Sequence, residues 1–188
     1  MRKVGIAFLT AALLFTAACG GADDSKNGEG AEVGSANLTK EGWLEFAVPA
    51  GWESSDSAAD DTWSVEGWTT AWMADLEDEE AGLLLVNGEY GPDGAAVAAG
   101  RLVSDTYFGG FPGFVSDGAR WIEPEDEDGP RIRRVDFTYK SADDQTGSGV
   151  IWAVEDAKYR TTVAAVKGAD LSESVITEIE ESLDFDNA

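Results

Sequence analysis

Arg131-Ile132-Arg133-Arg134-Val135-Asp136-Phe137-Thr138-Tyr139 alternates strictly, with Val135, Phe137 and Tyr139 falling on one side of an extended chain. A period of two is the signature of a half-buried strand. Two further runs follow: Ser148 to Glu155, with Val150, Trp152 and Val154 together, and Tyr159 to Val166. Asp143-Asp144-Gln145-Thr146-Gly147 and Glu155-Asp156-Ala157-Lys158 separate them with turn-forming residues. Three such strands joined by short polar turns predict an antiparallel meander. The same alternation puts Arg131 and Arg133 on one face and Arg134 on the other, where neighbouring acids are expected to pair with them.

Downstream of the meander the period changes. Leu171, Val175, Ile176, Ile179 and Leu183 form one stripe at helical spacing, and Asp170 with Glu173 three residues on is the expected N-terminal cap. Upstream, Pro92-Asp93-Gly94 opens an alanine-rich segment, Ala95 to Phe108, expected to be a helix weakened at Gly100. Val97, Arg101 and Asp105 lie along one line of it, and Gly109 to Gly113 reads as a loop. Leu83 to Val86 is a short continuous apolar run, the pattern of a strand covered on both faces. Thr62 to Trp72 is β-prone, with Trp63, Val65 and Trp68 at strand spacing and a possible break at Gly67. In Trp43 to Pro49, Leu44, Phe46 and Val48 share a face, and Ala50-Gly51-Trp52 turns the chain back. The expected fold class is therefore α+β, an antiparallel β-sheet with helices packed on its faces.

The N-terminus carries different information. Arg2 and Lys3 precede an uncharged stretch from Val4 to Ala18, and small residues lead into Cys19, the lone cysteine. The apolar run is about 15 residues, shorter than the ~20 that a membrane-spanning helix requires. Thr16-Ala17-Ala18-Cys19 resembles a bacterial lipobox, with Thr16 where leucine is common. The resemblance implies that residues 1–18 are a cleaved signal and that Cys19 carries a lipid. Such an anchor would hold the chain on the outer face of the cytoplasmic membrane. Residues 19–38 are rich in Gly, Ala, Ser and acids and are read as a flexible tether. Residues 39–188 are read as a single domain, within the size that builds its own core.

Composition narrows the function. The chain holds 37 acidic and 13 basic residues, a net charge of −24, and removal of Arg2 and Lys3 makes it more negative. That field repels nucleic acid and anionic headgroups, so a nucleic-acid partner is not expected. There is no histidine, which removes the commonest general base and transition-metal ligand. With its one thiol assigned to lipid, neither a Ser-His-Asp triad nor a thiolate site can be assembled. Gly109-Gly110-Phe111-Pro112-Gly113 lacks the lysine and spacing of a phosphate loop. No cofactor is expected. An enzyme would have to be a hydrolase working with paired carboxylates.

Two acidic clusters are candidates for a hard cation: Asp75, Glu77, Asp78, Glu79 and Glu80, and Glu123, Glu125, Asp126, Glu127 and Asp128. An EF-hand register on the second, with Gly129 at position six, places Pro124 and Val135 where ligands belong, so a solvated loop is the better reading. The candidate ligand-binding aromatics are Trp63, Trp68, Trp72, Tyr107 and Phe111, with Phe108 and Phe114 beside them. Exposed, they would stack on a sugar, a peptide or a small cationic ligand; buried, they are the core between sheet and helices.

Phe46-Ala47-Val48-Pro49-Ala50-Gly51-Trp52, a strand entering a Pro-x-Gly-Trp turn, resembles the start of PsbP-like domains. The end is similar too: the strand from Tyr159 to Val166, a connector, and a helix closing on Ser182-Leu183-Asp184-Phe185. The superfamily includes DcrB-like proteins and actinobacterial lipoproteins of the LpqN type, and the likeness covers the element order of residues 42–186. It implies an α-β-α sandwich used for binding or accessory roles, without enzyme activity. The expected partner is an envelope protein, a cell-wall component or a small cationic ligand. The alternative is a cation- or small-solute-binding lipoprotein serving a transporter.

Overall fold

The computed structural model describes residues 37–55, 67–78, 80–109, 111–124, 129–141 and 143–185, all within one compact unit, Val33–Ala188. Trp63, Glu79, Glu125, Asp126, Glu127, Asp128, Cys19 and residues 1–36 lie outside the described residues. Ten strands and two helices make up the described chain. They run β1 (Asn37–Glu41), β2 (Leu44–Val48), β3 (Glu53–Ser54), β4 (Thr70–Met73), β5 (Leu83–Gly91), α1 (Ala95–Gly109), β6 (Val115–Ile122), β7 (Arg131–Lys140), β8 (Thr146–Glu155), β9 (Thr161–Gly168), α2 (Glu173–Ser182) and β10 (Asp184–Phe185).

A seven-stranded sheet of order β3-β4-β5-β9-β8-β7-β6 forms the middle layer, and every pairing in it is antiparallel. The predicted meander is its centre. Arg131↔Glu155 through Lys140↔Thr146 join β7 to β8, and Ser148↔Gly168 through Glu155↔Thr161 join β8 to β9. Alternation then sorts the side chains into two cores. Leu85, Val135, Phe137, Tyr139, Ile151, Val163 and Ala165 meet Ala95, Ala98, Ala99 and Leu102 of α1 on one face. Leu84, Val86, Val150, Trp152, Val154, Ala164 and Val166 meet Ile176 and Ile179 of α2 and Leu44, Phe46 and Val48 of β2 on the other. The run from Leu83 to Val86 is thus covered on both sides, as its continuous hydrophobicity requires.

Helix α1 carries the chain from β5, inside the sheet, to β6 at its edge, and so crosses the first face. Its alanines let it lie close to large side chains on the strands. Phe137 and Tyr139 have room because Gly149 and Gly147 sit opposite them on β8, where a Cβ would collide with their rings. The helix presents Ala95, Ala98, Ala99, Leu102 and Thr106 inward, which leaves the line of Val97, Arg101 and Asp105 outside the core.

The second face is shared. Helix α2 occupies part of it, and a three-stranded sheet of order β1-β2-β10 the rest. The α-β-α sandwich is therefore one helix on one side and a helix plus a small sheet on the other.

Several boundaries differ from those predicted. Ser172, not Asp170, caps α2: its hydroxyl accepts from the Val175 N–H at 3.4 Å, while Asp170 stands in the turn before the helix begins. Strand β9 starts at Thr161 rather than Tyr159, because the Asp156 carboxylate accepts from the N–H groups of Lys158 and Arg160 and prolongs the turn. The β-prone stretch ending at Trp72 supplies only Thr70–Met73 as strand among the described residues. The first strand begins at Asn37, two residues inside the segment read as tether.

Candidate binding groove

Strand β6, which had no counterpart in the predicted elements, forms one edge of the main sheet. It pairs with β7 at Val115↔Thr138 and Ser116↔Phe137, then again from Ala119↔Val135 to Ile122↔Ile132. Between those runs Asp117 and Gly118 oppose Asp136 alone, a bulge in which Gly118 takes φ +99°. That dihedral is one that L side chains rarely adopt. Val115 through Arg120 are exposed, so the strand is uncovered over most of its length.

A groove of about 490 Å³ runs between this edge and α1, lined by Gly100, Val103, Ser104 and Tyr107 of the helix with Phe114, Val115 and Ser116. Its lining carries no charge. Helix α1 sets the wall by its small residues: a Cβ on Gly100 would meet nothing within 4 Å, so no internal close approach accounts for a glycine there. Phe114 forms the floor, buried and packed against Phe137 at 5.3 Å between ring centroids. Tyr107 at 64% exposure and Phe108 at 82% stand at the rim, edge to face at 5.2 Å.

The expected ligand-binding aromatics are distributed, not assembled. Trp68 is buried in the core beneath α1. Trp72 packs edge-on against Phe46 at 5.1 Å on the opposite face. Phe111 is half-buried over Tyr139 at 5.5 Å. Of the described candidates, Tyr107 lines the groove, with Phe114 as its floor and Phe108 beside Tyr107 at the rim. Sequence reasoning missed Gly100 and Ser104 as lining residues; their only signal was two small side chains one helical turn apart.

The carboxylates gather elsewhere. A polar cleft of about 350 Å³ is lined by Asp78, Glu80, Ala81, Ser141, Asp143, Gln145, Ala169 and Asp170. Glu80 stands at its inner end, accepting from the Tyr139 hydroxyl at 2.7 Å and lying 3.6 Å from the buried Lys167 ammonium. Burial, then the Glu80 hydrogen bond, pushes the Tyr139 hydroxyl far above the ordinary tyrosine range. The ammonium also sits 5.4 Å from the Phe111 and Tyr139 ring centroids, so this corner is an internally satisfied ion pair on an aromatic bed. Asp75 and Asp78 turn back on their own loop, accepting from the N–H groups of Glu77 and Glu80. Among the described residues no three carboxylates are placed to hold a metal ion.

Arg131 and Arg134 pair with acids on opposite faces, as their alternation predicts, whereas Arg133 forms no ion pair among the described residues. Arg131 donates to Glu155 at 2.8 Å, and the same carboxylate accepts from the Ala95 N–H at 2.7 Å, capping α1. Arg131 and Arg133 both lie over the Trp121 ring, at 4.4 and 5.3 Å. On the other face Arg134 donates to Asp136 and to Glu180 at 2.7 Å, and Trp152 Nε1 reaches the same Glu180 oxygen at 2.7 Å. Burial works against the Arg134 charge, yet these hydrogen bonds hold its pKa above the usual arginine range. Glu155 is the one buried carboxylate among the described residues, and it is committed to Arg131 and the helix cap.

No family model matches the sequence, and no curated protein does. Among solved structures, the fold is similar to the solution structure of cyanobacterial PsbP (CyanoP) from Synechocystis sp. PCC 6803. The TM-score is 0.56 at 16% identity, with 85% of this chain and 96% of that one covered. At that identity the likeness is one of fold, and the fold is PsbP-like.

Proposed function

We propose that this chain is a lipid-anchored, extracytoplasmic lipoprotein whose PsbP-like domain is a non-enzymatic binding or accessory module of the bacterial cell envelope, akin to the DcrB and LpqN types. It meets a protein partner through the face formed by α1 and β6. The observation that carries this reading is the uncharged groove between them, rimmed by Tyr107 and Phe108 at 64% and 82% exposure. Aromatic side chains held open beside an apolar trough are the usual core of a protein contact. A small-solute carrier would need aromatics and carboxylates converging in one enclosed pocket; here the groove has the aromatics and a separate cleft has the acids. A carboxylate hydrolase would need two buried carboxyls facing each other across a cleft; Glu155, the one buried carboxylate among the described residues, is held by Arg131.

Photo-crosslinking in intact cells tests the partner face, with benzoylphenylalanine replacing Tyr107 in one strain and Thr177, exposed on α2, in another. The expected result is a discrete protein adduct from position 107 alone. Equal patterns from both positions, or adducts only to glycan or lipid, would overturn a protein contact here. Cys19→Ala tests the anchor: the variant should leave the membrane fraction, and its full retention there would sink the lipid assignment.

A further inference from the structure

We infer that the groove receives an extended, lysine- or arginine-bearing segment of a partner protein, which pairs with β6 as an added strand. This rests on the reading that the α1–β6 face meets a protein. The form of the occupant follows from the two walls. One is an edge strand, and alternate residues of an edge aim their N–H and C=O groups away from the sheet. Strands β7 and β6 end the described sheet on that side, and β6 is exposed from Val115 to Arg120. A helix laid in the groove would bring backbone groups already satisfied within itself, and the edge would gain nothing. An extended chain brings unpaired donors and acceptors at strand spacing, and places every second side chain toward α1. That wall accepts apolar side chains over Gly100 and Ser104, between Val103 and Tyr107.

The bulge limits the length of pairing. With Asp117 and Gly118 opposite Asp136 alone, the regular ladder is confined to Val115–Ser116 and Ala119–Ile122. A bulge on an edge interrupts long, repeated pairing and bends the strand, so a short segment is accommodated better than a continuous sheet.

Charge selects among extended segments. The chain carries −24, so edge-to-edge pairing of two copies is opposed by the whole field, while a cationic segment is drawn in. Locally, Arg120 is neutralised by Asp136 at 2.5 Å and Arg133 lies over the Trp121 ring toward the far end of β6, whereas at the bulge Asp117 forms no ion pair among the described residues. The bulge thus offers an uncompensated carboxylate beside an uncharged trough.

Hydrogen–deuterium exchange on the full chain in lipid nanodiscs tests the assignment, with a capped alternating valine–lysine octapeptide as probe. The expected result is slowed exchange, on the order of tenfold, confined to Val115–Ile122. An alternating valine–glutamate peptide should give none, and neither should the valine–lysine peptide methylated on every backbone nitrogen, which leaves no N–H donor on either edge. Gly100→Leu, which fills the trough where space is open, should abolish the protection without lowering Tm. Equal protection by the N-methylated peptide would overturn strand addition. Protection centred on the acidic cleft at Asp78 and Asp143 would reduce the effect to charge alone. Concentration-dependent protection of β6 without peptide would make a second copy the occupant. If none of the peptides protects β6 while position 107 still crosslinks to a protein, strand addition fails and the partner face stands; if position 107 yields no adduct, both fail.

Discussion

The main sheet is covered differently on its two faces. Beneath α2, Trp152, Leu44, Phe46 and Ile179 are fully buried, and Arg134, Trp152 and Asp136 close a hydrogen-bonded network on Glu180 and one another. Beneath α1, the helix contributes mainly alanines, carries a glycine with open space above it, and ends with Tyr107 and Phe108 in solvent. Large interlocking side chains fill the space beneath α2. A slim helix over the same sheet leaves a trough beside the edge. The covering layer, not the sheet, therefore decides where the groove lies.

If the α2 face is structural, its substitutions should dominate the stability profile. Trp152→Ala removes a fully buried indole and one donor to Glu180, and should cost about 3–5 kcal/mol. Urea unfolding of the variant would show it as a lower midpoint at unchanged slope. A loss below about 1 kcal/mol would mean that the two faces are not packed differently.

Glu180→Ala isolates the polar part of the same layer. It leaves the Trp152 N–H without an acceptor and the Arg134 guanidinium, at 7% side-chain exposure, with Asp136 as its remaining partner. About 2–3 kcal/mol should be lost, because an unmatched buried group retains its full desolvation cost. Glu180→Gln keeps an acceptor and should lose less. Equal losses for the two would show that the charge of Glu180, rather than its hydrogen bonds, holds α2 in place.

The same contrast governs what the sequence reveals. Strands β7 to β9 are legible because they pair over long, regular ladders: β7 is most deeply buried on one face, as the alternation in Val135-Asp136-Phe137 records, while β8 and β9 are buried on both. The pairing of Arg131 and Arg134 on opposite faces follows from the same period. Strand β6 is illegible for the opposite reason. In Val115-Ser116-Asp117-Gly118-Ala119-Arg120 the bulge shifts the register midway, and exposure on the edge removes any demand for alternation. The groove inherits that silence, since one of its walls is that strand. Tyr107 is one of several aromatic candidates, with nothing in the sequence to set it apart. Trp68 and Trp72 resemble it in sequence, yet Trp68 is buried and Trp72 half-buried against the other face, because size alone does not say which face an aromatic meets.

The rim of the α2 face should respond to acid. The Asp156 carboxylate accepts from the N–H groups of Lys158 and Arg160 and from Arg160 Nε at 2.7 Å. Arg160 in turn lies 5.4 Å from the Trp43 and Phe185 ring centroids. Burial works to raise the Asp156 pKa, but these hydrogen bonds prevail and hold it below the ordinary carboxylate value. A depressed folded-state pKa contributes stability above the unfolded value, about 3.9, and loses it as pH falls through the folded one. Asp156→Asn should therefore be less stable than the parent at pH 7, with the gap narrowing below about pH 4. A gap independent of pH would assign the effect to turn geometry, where Tyr159 already takes φ +61°.

Gly100→Ala is the smallest change and the sharpest on the α1 face. If glycine served helix packing, a methyl group would clash and the variant would lose stability. A Cβ there meets nothing within 4 Å, so the substitution should instead stabilise the fold by about 0.5–1 kcal/mol, the helical preference of alanine over glycine. The measured quantity is the urea midpoint, read beside peptide protection of β6. Alanine is small enough to leave most of the trough open, so protection should weaken less than in Gly100→Leu. A helix that gains stability while its groove binds less well would show that the glycine serves the contact and not the fold. Destabilisation would place Gly100 among the packing residues and make the two faces alike after all.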